Sequence, residues 1–131
     1  MVKYFVYTDG GARGNPGPAG IGIVIKDSKK EVIKEIKKYI GEATNNQAEY
    51  WAVIFALEWI LDNKKNSVVE VSHFLDSQLI EQQLKGNYKV KNEGLKPLFL
   101  RTSELIQKIG KVEFTHVFRR NNKRADQLVN E

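Results

Sequence analysis

The chain contains no cysteine, and its 131 residues include only two histidines, three prolines and one methionine. Without cysteine there is no disulfide scaffold, no thiolate zinc site and no cysteine nucleophile. The two histidines are too few for an all-histidine metal site, so any bound metal is expected to be a hard ion held by carboxylates. The absence of cysteine is compatible with a reducing compartment, and we expect a cytoplasmic location.

Long apolar runs are also missing. The longest one, residues 50–57, is too short to span a bilayer. The first residues lack the charged region, apolar stretch and small-residue cleavage site of a signal peptide, so no membrane association is expected. Because no repeat, linker or low-complexity tract occurs, residues 1–131 are predicted to form one domain with a single packed core, and we expect a monomer.

Acidic residues are outnumbered by basic ones. Lys and Arg total 21 and Asp and Glu total 16, which gives a net charge of +5. This excess favours a polyanionic partner, although many basic proteins of this size bind no nucleic acid. The positions of the acids are therefore more informative than the number of bases.

Apolar periodicity and turn residues predict nine elements. Strands are expected at residues 3–8, 20–26, 31–40, 67–75 and 111–118. Helices are expected at residues 48–61, 77–84, 95–109 and from 122 onward. Residues 10–20, with five glycines and two prolines, are expected to form a loop. The order β-β-β-α-β-α-α-β-α predicts an α/β fold in which an antiparallel meander continues into a mixed sheet with helices packed on it.

Two elements have further detail. The third predicted strand places Val32, Ile36 and Ile40 on one side, as expected of a half-buried strand. Residues 44–47 have the form of a capping box, with Thr44 at the N-cap and Gln47 at the third helical position. The helix that follows is apolar nearly all round, which predicts burial in the middle of the fold.

Four acids lie at the ends of predicted elements. Asp9 directly follows the first strand and Asp76 the fourth, so parallel pairing of these strands would bring both carboxylates to one sheet edge. Glu49 lies one turn into the central helix, and Asp126 lies about one turn into the last. Four carboxylates without a nearby base attract divalent cations, and Mg²⁺ held in this way keeps positions open for phosphate oxygens. Two such ions about 4 Å apart can activate a water and stabilise a leaving oxygen in phosphodiester cleavage.

Each acid has a structural interpretation that the residues alone leave open. Asp9 before two glycines is typical of a turn, and Glu49 is typical of the first-turn acids that the helix dipole favours. Asp76 has the place of an N-cap for the short helix, and Asp126 that of a solvated helical charge. The joint placement of the four at element ends favours the metal site.

Four segments resemble the signature segments of the type 1 ribonuclease H family: TDGGARGNPGPAG at 8–20, TNNQAE at 44–49, DSQL at 76–79 and NKRADQL at 122–128. They occur in the family's order and spacing and cover essentially the whole chain. The resemblance implies the ribonuclease H-like fold, a five-stranded mixed β-sheet flanked by α-helices. It also implies an endoribonuclease that hydrolyses the RNA strand of RNA–DNA hybrids, leaving 3′-hydroxyl and 5′-phosphate ends.

The resemblance further implies the residues of the site. The expected ligands of two Mg²⁺ ions, with Mn²⁺ as a substitute, are Asp9, Glu49, Asp76 and Asp126. Asp9 would be shared by both ions, and Asp126 would be the most replaceable ligand. Minor-groove contacts are expected from Asn45, Asn46 and Gln78 and from the main chain of Gly11, Ala12 and Arg13. Asn15 and Thr44 resemble residues around the DNA phosphate site, although helix-start polarity and capping explain Thr44, Asn45 and Asn46 equally well.

One segment before the last acid departs from the common pattern. Many family members carry there a flexible histidine that is thought to assist product release. His116 precedes Asp126 by ten residues but lies in a predicted strand, so we expect it to be a sheet residue. Residues 118–122 resemble the shorter loop of an archaeal-like subgroup, in which an arginine takes the place of the histidine. Arg119 or Arg120 is the candidate, and a solvated basic turn is the alternative.

A second segment, residues 84–95, is short where some relatives have a long basic helix and loop that holds the hybrid. It contains three lysines and one tyrosine, so affinity is expected to be lower or to be carried elsewhere, for example by Lys123 and Arg124. The last helix is predicted to be still running at Glu131 and is shorter than usual for the family. Two alternatives stay open: a catalytically weak module that binds the hybrid, and a nuclease of the same fold that acts on duplex RNA or DNA.

Overall fold

The computed structural model describes residues 1–130, so the predicted end of the last helix at Glu131 lies outside the described residues. The strands are β1 Val2–Ala12, β2 Gly17–Lys26, β3 Val32–Ala43, β4 Val69–Leu75 and β5 Gly110–His116. The helices are α1 Asn45–Lys64, α2 Gln78–Leu84, α3 Lys96–Ile109 and α4 Lys123–Asn130, and a 3-10 turn at Arg119–Asn121 precedes α4. The predicted order of elements is confirmed. Within residues 1–130, no helix has both the length and the apolar composition that crossing a membrane requires.

The five strands form one mixed sheet in the order β3-β2-β1-β4-β5. The first three strands pair antiparallel as the predicted meander, and β1, β4 and β5 run parallel. The register of the central pair ends with Thr8 opposite Leu75. Asp9 and Asp76 directly follow this last pair and therefore lie side by side, as the sequence predicts, although Asp9 still belongs to β1 rather than following it.

The predicted loop at residues 10–20 is wrong over most of its length. Strand β1 continues to Ala12, β2 begins at Gly17, and only residues 13–16 connect them. The glycines serve close backbone approach instead: a Cβ on Gly10 would lie 2.4 Å from the Ala48 carbonyl of α1, and Gly22 lies equally tightly beneath α4. Glycine in a strand often marks such an approach rather than a turn.

Helix α1 lies against one face of the sheet and has the predicted capping box. The Gln47 N–H donates to Thr44 Oγ1 at 3.1 Å, and the Thr44 N–H donates to Gln47 Oε1 at 2.9 Å. Apolar side chains are buried nearly all round the helix, which confirms its predicted central position. The buried residues of the helix are Ala48, Glu49, Tyr50, Ala52, Val53, Ile54, Ala56, Leu57 and Ile60.

The opposite face of the sheet is partly covered by α4, whose Ala125 and Leu128 pack against Val24 of β2. Strand β3 lies at the edge of the sheet, and its predicted buried row is wrong at Val32, which is 53% exposed. The register of β2 and β3 shifts between Ile25 and Lys26, so the regular alternation of sides breaks just before Lys34. Val32 therefore does not share the partly buried position of Ile36.

Candidate active site

Three carboxylates meet where the pairing of β1 with β4 ends. Asp9, Glu49 and Asp76 each place an oxygen within 4.8 Å of the others. The parallel pairing of β1 with β4 sets the two aspartates side by side, and the packing of α1 on the sheet brings in Glu49 from its second turn. The first three acids that the sequence places at element ends therefore form one group.

Two structural interpretations of these acids are wrong. Asp9 does not lie in a turn, because it is a strand residue paired with Gly22 of β2. Asp76 is not the N-cap of α2, because Ser77 has that place and its Oγ accepts a hydrogen bond from the Ile80 N–H at 3.3 Å. Neither carboxylate is therefore needed to complete local structure.

One main-chain N–H donates to both of the buried acids of this group, Asp9 and Glu49. The Gly10 N–H donates to Asp9 Oδ1 at 3.0 Å and to Glu49 Oε1 at 3.1 Å. Asp9 is only 4% exposed and Glu49 only 6%. The second oxygen of Glu49 is buried without any hydrogen-bond partner, which is costly for a carboxylate unless a cation or a proton satisfies it.

The crowding of acids changes their ionisation. The pKa of Asp9 is raised to about 7, chiefly by burial; a hydrogen bond with Glu49 lowers it, and the nearby charges of Asp76 and Asp126 raise it. Burial, followed by the charge of Asp9, raises the pKa of Glu49 well above its ordinary value. A set of carboxylate oxygens that resist joint ionisation, one of them unpartnered, fits a hard divalent cation such as Mg²⁺ or Mn²⁺. The group is thus suited to hold a metal.

The fourth acid lies beside this group. Asp126 is in the first turn of α4, and it lines the same cleft as the other three. Its hydrogen bond and its charge both act on Asp9. Asp126 thus acts on Asp9, although it lies outside the set of three acids whose oxygens lie within 4.8 Å of one another.

Asn122 is a residue of the site that the sequence interpretation missed. It is buried just before α4, and its Nδ2 donates to the Thr8 carbonyl at 2.8 Å and to Asp76 Oδ2 at 3.3 Å. One amide thereby joins β1, the residue after β4 and the helix that carries Asp126. A signal was present, because an asparagine one turn before a candidate ligand faces the same side of the chain.

A buried histidine of β4, His73, contacts Thr8, the residue before Asp9. His73 Nε2 lies 2.9 Å from Thr8 Oγ1, and its ring packs against Phe114. Burial lowers the pKa of His73 to about 3, so the ring is neutral at physiological pH. His73 therefore adds no positive charge next to the acids.

The acids lie in an open cleft of about 760 Å³. Of the predicted substrate residues, the cleft is lined by Gly11, Ala12, Arg13, Asn45 and Asn46. Its lining does not include Asn15, Thr44 or Gln78. The Ala12 N–H donates to Asn45 Oδ1 at 2.8 Å, and the Asn45 N–H donates to Asn15 Oδ1 at 3.0 Å. These two bonds fix the β1–β2 connection to the first residue of α1.

The structure separates the two arginines that the sequence leaves equivalent. Arg119 lines the cleft. The guanidinium of Arg120 lies over the ring of Phe118, with 4.7 Å from its central carbon to the ring centroid. His116 pairs with Leu75 as the last residue of β5, so its prediction as a sheet residue is confirmed.

The raised pKa of Asp9 predicts a pH-dependent stability of the metal-free protein. Between about pH 4 and 7 the folded state binds more protons at Asp9 than the unfolded state, since the pKa rises from 3.8 to about 7 on folding. The contribution of Asp9 to the free energy of unfolding therefore falls as pH rises through this window. We expect the free energy of unfolding of the parent to fall relative to that of Asp9→Asn as the pH rises from about 4 to about 7. At about pH 8, Mg²⁺ should raise the free energy of unfolding of the parent again.

Urea unfolding of both proteins, with EDTA or with Mg²⁺, measures this effect. His73 has the opposite dependence, because its pKa is lowered on folding, but it is present in both proteins and cancels in their difference. A difference in stability that does not change between pH 4 and 7 would contradict the expected repulsion among the acids.

Comparison with known proteins agrees with this geometry. A family model described as "Reverse transcriptase-like" matches residues 7–131. The bifunctional protein Rv2228c of Mycobacterium tuberculosis is 37% identical over 131 residues, which are 99% of this chain and 35% of that protein. Ribonuclease HI of Halobacterium salinarum is 42% identical over 129 residues, which are 98% of this chain and 63% of the relative. The chain thus spans between about a third and two thirds of these relatives.

A solved structure is similar over nearly its whole length. The crystal structure of LC11-RNase H1 in complex with an RNA/DNA hybrid has a TM-score of 0.92 and 47% identity, covering 97% of this chain and 94% of that one. The match includes the five-stranded mixed sheet and its flanking helices. With the acids gathered at the ends of β1 and β4, the chain belongs to the type 1 ribonuclease H family.

Proposed function

We propose that this chain is an endoribonuclease that hydrolyses the RNA strand of RNA–DNA hybrids and leaves 3′-hydroxyl and 5′-phosphate ends. The observation that carries the proposal is the group of Asp9, Glu49 and Asp76, with oxygens within 4.8 Å at the base of an open cleft. Membership of the ribonuclease H family and the likeness to a relative solved with an RNA/DNA hybrid support this substrate.

The proposed cofactors are two Mg²⁺ ions, with Mn²⁺ as a substitute, held by Asp9, Glu49, Asp76 and Asp126. When bound, the ions supply activation of the attacking water and stabilisation of the leaving oxygen. Asp9 interacts with each of the other three acids, which suits it to be the shared ligand. Asn122 orients Asp76 through its amide and holds the start of α4 against β1.

Substrate recognition is assigned to the cleft beside the acids. Main-chain groups of residues 11–13 and the side chains of Asn45 and Asn46 can hydrogen-bond ribose 2′-hydroxyls and base edges in the wide minor groove of an A-like duplex. Asn45 Oδ1 already accepts from Ala12, so its Nδ2 is the group proposed to face the substrate. Gln78 is exposed at the start of α2 and would contact the hybrid farther along the groove.

Asn15 and Thr44 are proposed to lie near a phosphate of the DNA strand. Thr44 caps α1, and the first N–H groups of a helix favour a phosphate because of the helix dipole. Asn15 is fixed to the same helix start through Asn45. Capping and phosphate binding are therefore compatible at this end of α1.

Arg119 rather than Arg120 is proposed to assist turnover. Arg119 lines the cleft, whereas Arg120 stacks on Phe118. We expect Arg119→Ala to lower kcat by about 10- to 100-fold, as loss of a charge-assisted hydrogen bond worth about 1.5–3 kcal/mol implies. Arg120→Ala, the matched control, should retain kcat within about twofold. Steady-state cleavage of a labelled hybrid measures both, and equal losses in the two variants would rule out a specific role for Arg119.

The proposed activity is tested by incubating a 5′-labelled RNA–DNA hybrid with Mg²⁺, beside an EDTA control and matched duplex RNA and duplex DNA. Metal-dependent cutting of the hybrid alone establishes the proposed substrate, and cutting of duplex RNA extends it. Tight binding without cutting, with either Mg²⁺ or Mn²⁺, would favour a hybrid-binding module instead. A cytoplasmic location and a monomeric state stay predictions.

A further inference from the structure

The cleft that holds the acids extends across the sheet to its edge strand. Its far end is lined by Lys37, Lys38 and Tyr39 of β3, the outermost strand on that side of the sheet. Tyr39 is 70% exposed and so leaves most of its ring free to contact a ligand. The proposed function leaves these three residues without a role.

The strand register shows how this end is joined to the proposed substrate groove. Tyr39 lies opposite Gly20, and Gly20 lies opposite Gly11, so the three share one row across β3, β2 and β1. Cross-strand partners share a face of the sheet, and the glycine between them has no side chain to separate Tyr39 from Gly11. Two strand spacings of about 4.8 Å place Tyr39 about 10 Å from Gly11. At about 3.4 Å per nucleotide along a duplex axis, this distance is about three nucleotides.

Lys38 and Tyr39 approach the cleft from the two sides of the edge strand. Consecutive strand residues point to opposite faces, and Lys38 accordingly lies on the helix side, with its ammonium 5.6 Å from the centroid of the Phe55 ring. Both residues line the cleft, and among residues 1–130 no strand lies beyond β3 on that side of the sheet. An extended phosphate backbone can cross the sheet edge there.

Over the described part of the chain, the cleft has acidic side chains only at the candidate metal site and basic side chains elsewhere, which suits the binding of a polyanion. Among the described residues that line it, the acids are the four candidate metal ligands, and the remaining charged side chains are basic: Arg13, Lys37, Lys38 and Arg119. The segment at residues 84–95 contains only three lysines. Bases on the edge strand can therefore supply phosphate contacts on a side of the site away from that segment.

We propose that Lys38 and Tyr39 form a second contact for the hybrid, in which Lys38 pairs with a backbone phosphate and Tyr39 packs against the adjoining sugar, about three nucleotides from the residues that meet Gly11. This inference rests on the proposed function, because it assigns the reach of the same substrate groove. It adds a site for binding only. The rate of the chemical step does not depend on it.

The first test compares Lys38→Gln with Lys34→Gln. Lys34 is exposed on the same strand and the same face, about 13 Å away at 3.3 Å per residue, and it does not line the cleft. Lys38→Gln is expected to raise KM for a long hybrid about threefold or more at low salt, with kcat unchanged and Lys34→Gln equal to the parent. Each phosphate contact steepens the fall of log affinity with log salt concentration by about 0.9. Between about 50 and 200 mM salt, the affinity of the parent for the hybrid should therefore fall about threefold more than the affinity of Lys38→Gln.

The second test uses Tyr39→Ala and hybrids shortened stepwise from each end. We expect KM for long hybrids to rise severalfold in this variant, and the difference from the parent to vanish once fewer than about three nucleotides remain on one side of the cleavage site. Equal KM values for the parent, Lys38→Gln and Tyr39→Ala would overturn the inference. An equal rise of KM in Lys34→Gln would also overturn it, because it would show that any lysine on this surface attracts the hybrid by its charge. A parent that neither binds nor cuts the hybrid would overturn the proposed function instead.

Discussion

Replacement of Asp9 by Asn is expected to lower hybrid cleavage by at least about 10³-fold, which corresponds to about 4 kcal/mol of transition-state stabilisation. The substitution keeps the shape of the side chain but removes the charge that the other three acids surround. The folded protein should survive the change. Burial holds the pKa of Asp9 at about 7, so the ionised carboxylate destabilises the metal-free fold above that pH, and the amide relieves this repulsion.

The informative result is therefore a loss of activity together with a gain of stability. Cleavage of a labelled hybrid in Mg²⁺ measures the first, and urea unfolding in EDTA at pH 8 measures the second. Asp62→Asn is a suitable control, because Asp62 is exposed on α1 and the substitution removes the same formal charge. Cleavage by Asp9→Asn at the rate of the parent would show that the metal site has been assigned wrongly.

Replacement of Gly10 by Ala is expected to disturb both the packing of α1 on the sheet and the position of the acids. The added Cβ would lie 2.4 Å from the carbonyl carbon and oxygen of Ala48 and 2.7 Å from the Glu49 nitrogen, all of them main-chain atoms of α1. Helix and strand must therefore separate, and overpacking of this kind costs about 1–3 kcal/mol. The shift also breaks the shared hydrogen bond from the Gly10 N–H to Asp9 and Glu49.

Gly11→Ala provides the matched comparison for stability. A Cβ on Gly11 meets only a Val129 methyl group at 3.7 Å, which is ordinary van der Waals contact. We expect Gly10→Ala to lower the free energy of unfolding by about 3 kcal/mol and to weaken Mg²⁺ binding, and Gly11→Ala to change stability by less than about 1 kcal/mol. Chemical denaturation and calorimetric titration with Mg²⁺ measure these effects. Equal stability of the two variants would show that α1 does not press on β1 as described.

The fold was largely predictable because its signals are local. The capping box at Thr44 and Gln47 depends on residues three apart, and the strand alternation depends on neighbours. The predicted loop at 10–20 was wrong because glycine has two meanings, a turn or a close approach. The choice between them at Gly10 is made by Ala48, which is distant in sequence. Val32 was misplaced because a register shift in β3 interrupts the alternation.

The candidate site, too, could be predicted only in part from the sequence. The grouping of Asp9, Glu49 and Asp76 could be predicted, because the strand order sets the two aspartates side by side and α1 packs against them. The role of Asn122 does not follow from its spacing to Asp126 alone, since it comes from reaching Thr8 and Asp76 at once. Nor does the sequence distinguish Arg119 from Arg120, two identical neighbours that only the position of Phe118 separates.

The place of the acids along the chain has a consequence for biosynthesis. Strand β1, which carries Asp9, is translated first but lies in the middle of the sheet, and its partner β4 follows only after α1. The last acid belongs to α4, which is docked by Asn122 and by a bidentate bond from Arg124 to Glu35. A nascent chain that ends after β5 but before residue 122 therefore has all five strands of the sheet but lacks both the fourth carboxylate and the helix that covers β2. An incomplete polypeptide emerging from the ribosome therefore holds an unfinished site.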